Sequence, residues 1–101
     1  MAASLTCRKV LSVDAGSVYA WETAEGVSGH LLIDAEEAVA RPCTPEGRPL
    51  GGMFLDRRIG NLRNPDPDPA RRRAFLIAAS VIFQERERQG LLPDTVTRMY
   101  W

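Results

Sequence analysis

Asn64–Asp94 reads NPDPDPARRRAFLIAASVIFQERERQGLLPD, and its punctuation marks out one long helix. Asp68 offers a side-chain oxygen to the unpaired amides of a first turn. Pro69 falls at the first helical position, where its missing N–H costs nothing. Gly90 suits the left-handed residue that closes a helix, and Pro93 prevents continuation. The spacing predicts a helix over about 69–89, a rod of roughly 30 Å at ~1.5 Å per residue. On a helical wheel Ala74, Phe75, Ala78, Ala79 and Ile82 form a central stripe. Ile77 and Val81 widen it on one side, and Leu76 and Phe83 on the other. Arg73, Ser80, Gln84 and Glu87 mark a narrow polar side. This apolar arc exceeds the single stripe of a surface helix, so most of the remaining chain is needed as cover. The central alanines would let a curved sheet come close.

The remainder supplies that sheet. Leu5–Val13 has strand composition and is closed by the turn residues Asp14-Ala15-Gly16-Ser17. Ser17–Thr23 alternates, with Val18 and Ala20 on one face and Tyr19 and Trp21 on the other. Glu25-Gly26 is a hairpin signal. Val27–Asp34 then places Val27, Gly29, Leu31 and Ile33 on one face. Asp34-Ala35-Glu36-Glu37 reads as a turn leading to a strand over 38–41, because Pro42 biases Arg41 towards extended backbone. Six of the seven prolines and four of the eight glycines fall between Arg41 and Pro69. Residues 41–68 therefore read as a long loop, apart from a short strand near Met53–Ile59. Thr95–Trp101 returns as a final short strand. The expected fold is α+β: an antiparallel β-meander of four to five strands packed on the helix, in one domain spanning 1–101.

Composition excludes several classes. Of 101 residues, 45% are hydrophobic and 26% charged, which is globular rather than disordered. The formal net charge is zero, so no bulk field drives the chain onto nucleic acid or membrane. The halves differ, however. Residues 1–50 carry four cations against seven acids, and residues 51–101 nine against six. The N-terminal residues lack the apolar core of an export signal, and Cys7 and Cys43 show no CxxC spacing. A cytoplasmic protein with two free thiols is the expectation. No apolar run reaches membrane-spanning length.

No phosphate loop, metal-ligand spacing or nucleophile–base motif stands out, and no cofactor or metal is expected. His30, the one histidine, shares its strand face with Ser28 and Leu32, neither of which helps it act as base or ligand. Gly51-Gly52 lacks a phosphate loop's spacing and reads as a hinge. Two groups remain as binding candidates. Asp34, Glu36 and Glu37 form an acidic cluster. With Tyr19 and Trp21, if the helix covers the Val18/Ala20 face, they would make a protein-binding surface with aromatic anchors. Arg57, Arg58, Arg63, Arg71, Arg72 and Arg73 are the anion-binding candidates. The last three lie at the helix start, where the macrodipole disfavours cations and so hints at an anionic counterpart. The expected function is a small protein-binding module, in concrete form an immunity- or antitoxin-type stoichiometric inhibitor, with a protein partner or a homodimer. The alternative is nucleic-acid or phosphate binding through the basic 57–73 segment.

Overall fold

The computed structural model describes residues 3–100. Seven strands form one antiparallel sheet: β1 (Ala3–Val13), β2 (Gly16–Thr23), β3 (Ser28–Asp34), β4 (Val39–Cys43), β5 (Phe54–Asp56), β6 (Asn61–Arg63) and β7 (Thr95–Tyr100). The single helix, α1 (Pro69–Gln89), falls between β6 and β7. The spatial order β6-β5-β4-β3-β2-β1-β7 explains the helix length. The meander ends at one edge of the sheet, and the chain must cross its full width before β7 can pair with β1 at the other. This is the expected α+β meander on one long helix. The last residue of the expected final strand, Trp101, lies outside the described residues.

The helix ends are built as their residues dictate. The Asp68 side chain accepts from the Ala70 amide at 3.0 Å. Gly90 adopts φ 85° and donates its N–H to the Arg86 carbonyl at 2.7 Å. Ala74, Phe75, Ala78, Ala79, Val81, Ile82 and Phe83 are buried, while Leu76 and Ile77 pack at the margin of the core. Across from them stand Leu5, Cys7, Tyr19, Trp21, Leu31, Ile33, Ala40, Leu55 and Val96. Ala78 and Ala79 have no exposed surface, consistent with a close backbone approach at the centre of the contact.

The sheet is wider than four to five strands because the Pro/Gly-rich segment is not one loop. Residues 54–56 and 61–63 pair as a short hairpin and extend the edge. The prolines do not forbid this. Strand β5 pairs with β4 only at Val39 and Ala40, so the missing amide of Pro42 falls where no ladder bond from β5 is needed. The turn at 44–49 folds back on the helix-free face, with Cys43 bridged to Pro49. There it covers a second, smaller cluster of Val18, Leu32 and Cys43, with Val13 at its border. A β-carbon on Gly47 would stand 3.2 Å from Val18 Cγ2, which shows how closely this turn sits.

Edge strand β7 is tied to the helix by Glu85. Its carboxylate, 12% exposed, accepts from Arg98 at 2.9 Å and from Arg88 at 2.6 Å. The hydrogen bond from Arg88 and the two guanidinium charges hold this carboxyl below its ordinary range. Three buried acids are shifted the other way. Burial pushes Cys7 up from 9.0 to about 12 and Cys43 up to about 11. Burial, reinforced by the charge of Asp94, also raises Tyr19. An unfolded chain would release these protons near their ordinary values while the folded chain keeps them. Their shared contribution is therefore fully present below the unfolded thiol pKa of 9.0 and is lost as pH rises towards 12. Thermal melts should fall steeply above about pH 9, and Cys7→Ala should flatten that alkaline limb. An unchanged limb in the variant would remove Cys7 as a cause.

Candidate functional site

The β3–β4 connection gathers the acidic candidates. Asp34 does not point outward as a binding group. Its Oδ1 accepts the amides of Glu36 and Glu37, each at 3.1 Å, and so builds the turn. Ala38 closes it at φ 57°, a left-handed conformation that costs a non-glycine residue about 1 kcal/mol. Glu36 and Glu37 are exposed at its tip. Arg58 reaches over from the following loop. It lies 3.6 Å from Glu37 and donates to the Glu36 carbonyl at 2.5 Å. The Glu36 carboxylate has no cationic partner among the described residues. The result is a fixed acidic tip, part-neutralised on one side.

The basic candidates do not converge. Arg57 pairs with Glu87 at 3.0 Å and lies 6.0 Å from the Phe83 ring, near the helix C-terminus. Arg58 belongs to the acidic turn. Arg71 lies 3.7 Å from Asp68, and Arg72 donates to the Asp66 carbonyl at 3.0 Å, both at the helix N-terminus. Sixteen residues of helix separate Arg71 from Glu87, about 24 Å at ~1.5 Å each. Arg73 is exposed. The expected continuous 57–73 anion site is thus divided between opposite ends of the molecule. Arg63 joins a further group: it and Arg41 flank Phe54, at 5.9 and 5.7 Å from its centroid. That grouping was not legible, because it depends on β4, β5 and β6 being neighbours.

The aromatic pair is corrected outright. Tyr19 and Trp21 face the helix, with exposures of 0% and 6%, so they are not anchors on an open face. The reason is register. Tyr19 pairs with Leu31, Trp21 with Gly29 and Ser17 with Ile33, and paired residues share a face. The Leu31/Ile33 face is the core face, so Tyr19 and Trp21 belong to it. Tyr19 satisfies its hydroxyl by donating to the Pro93 carbonyl, which anchors the entry to β7. The Trp21 indole lies across Gly29. A β-carbon there would stand 2.7 Å from Cζ2 and 3.0 Å from Cε2, so any side chain at this position would force the ring or β3 to shift.

Beside the small apolar cluster under the 44–49 turn, the helix-free face carries a polar stretch. On the helix-free side of β7, β1, β2 and β3, a shallow concavity of about 850 Å³ is lined by Ser4, Thr6, Arg8, Glu22, His30 and Thr95. His30 pairs across the ladder with Cys43, the one arrangement suggestive of nucleophilic chemistry. Cys43 is shielded by the 44–49 turn, and its thiol is raised to about 11. A nucleophilic cysteine needs the opposite shift. No group of three metal-ligating side chains occurs among the described residues. Nor is any helix among them long and apolar enough to cross a membrane. Comparison with protein-family models, curated proteins and solved structures finds no match.

Proposed function

We propose that this chain is a protein-binding module that acts by occupying a partner stoichiometrically, as an immunity- or antitoxin-type inhibitor does. The acidic turn carries the reading. Asp34 holds Glu36 and Glu37 through two amide hydrogen bonds, so little conformational freedom is lost when a partner closes on them. The partner this tip suits is basic, since Glu36 has no internal counter-ion among the described residues and Glu37 has a distant, exposed one. Because the arginines are divided, this reading stands above nucleic-acid binding, which calls for a continuous basic track.

The test uses charge reversal. The intact chain, tagged, is used to capture partners from cells that express it, and affinity for the recovered protein is measured against salt. Glu36→Lys with Glu37→Lys should slow association by about tenfold at low salt and flatten the salt dependence, since exposed interface charges act mainly on encounter. Unchanged association by a variant whose melting curve is normal would exclude the acidic turn as the binding element.

A further inference from the structure

A second cavity, of about 370 Å³, opens where the ends of β3 and β4 meet the start of α1. Its volume lies within the range of small-molecule sites, roughly 300–1,000 Å³. Trp21, Leu50, Met53 and Phe75 give it apolar walls, and Arg71 and His30 lie at its polar margin. The indole Nε1 of Trp21 is the only buried side-chain nitrogen or oxygen among the described residues that lacks a hydrogen-bond partner. The indole edge formed by Cε2, Cζ2 and Cη2 lies on Gly29, which lines both this cavity and the larger concavity. Since Nε1 is bonded to Cε2, the unpartnered N–H belongs to that same edge. A buried donor without an acceptor is costly, and Trp21 carries this cost although Tyr19, two residues away on the same face, has its hydroxyl satisfied.

We propose that this cavity binds a small carboxylate on an apolar body, such as an aromatic or branched aliphatic acid. One carboxylate oxygen accepts the Trp21 N–H, and the other faces Arg71. The apolar body lies against Met53, Phe75 and Leu50. Arg71 suits the role because its side chain is 72% exposed and only loosely engaged by Asp68 at 3.7 Å. Asp66 also lines the cavity, its Oδ1 accepting the Asp68 amide at 2.8 Å, and is the like charge that Arg71 must offset. Leu50 and Met53 are joined by Gly51-Gly52, and a β-carbon on Gly51 would meet nothing within 4 Å. Trp21 Nε1 has no exposed surface, so binding as proposed requires the wall at Leu50, which is half-exposed, to open. The site shares no residue with the acidic turn, so each proposal stands or falls separately.

The test is a titration of the ¹⁵N-labelled full chain with sodium benzoate and, separately, sodium cyclohexanecarboxylate. It is followed through the Trp21 indole N–H resonance, assigned by its loss in Trp21→Phe. At least one acid should move that resonance saturably by about 10 mM, the range that fills a millimolar site. Arg71→Ala should weaken the interaction by about tenfold, as loss of a charge-assisted hydrogen bond does. Benzamide should bind more weakly than benzoate. Absence of a saturable shift with both acids overturns the proposal, and so does an affinity that Arg71→Ala retains in full.

Discussion

Gly16→Ala is expected to destabilise the fold by about 3 kcal/mol, in the range where backbone strain and steric overlap combine. Two causes act together. Gly16 sits at φ 146°, which side chains rarely adopt, and a β-carbon there would stand 2.1 Å from the Ile33 carbonyl oxygen. The obstructing atom is backbone in a central strand, so no rotamer change relieves it. Relief requires moving β2 away from β3 at the Ser17–Ile33 pair. The same β-carbon would lie 3.3 Å from the Cα of Asp34, so the disturbance reaches the residue that builds the acidic turn. Gly26→Ala is the control. It has φ 87° and nothing within 4 Å, so only the left-handed cost of about 1 kcal/mol applies. Urea unfolding of both variants separates the contributions. Equal losses at the two positions would show that the close approach to Ile33 is harmless.

The helix was legible to the residue, because its signals are local. Asp68, Pro69 and Gly90 act on their own neighbours, and the arc from Ala74 to Phe83 needs only a 3.6-residue period. The first three strands were legible for the same reason. What was lost depends on pairing. The Tyr19/Trp21 face follows from its register with Leu31 and Gly29, and alternation within β2 alone cannot choose between its two sides. One signal was available: a glycine on a strand face otherwise made of Leu31 and Ile33 leaves room for a large ring on the neighbouring strand. The short strand expected at Met53–Ile59 is present as β5, while β6 was obscured by the glycine and proline that sit beside its paired residues rather than among them. The basic segment looked continuous in sequence because its spacing says nothing about the helix that carries Arg71 and Glu87 to opposite ends. Asp34 was grouped correctly with Glu36 and Glu37, but its role is to shape the turn.

Phe75→Ala should cost about 3–5 kcal/mol, the usual penalty for emptying a large aromatic site in a core. Phe75 is 1% exposed and projects from the second turn of α1 into the main cluster, and it also forms part of the cavity wall beside Trp21. The cost depends on whether the helix can settle into the space, and the neighbouring alanines argue that it cannot. Ala74, Ala78 and Ala79 are 5%, 0% and 0% exposed, so the helix already rests on the sheet through its smallest side chains. With the backbone close to contact along this line, a gap at Phe75 stays open. The same geometry predicts the reverse defect at Ala78, where Ala78→Leu adds volume to a full site and should cost about 1–3 kcal/mol through displacement of the helix. Denaturant midpoints at unchanged slope measure both. A loss below about 2 kcal/mol for Phe75→Ala, together with tolerance of Ala78→Leu, would mean that the helix floats on the sheet. The alanine line would then not be what sets their separation.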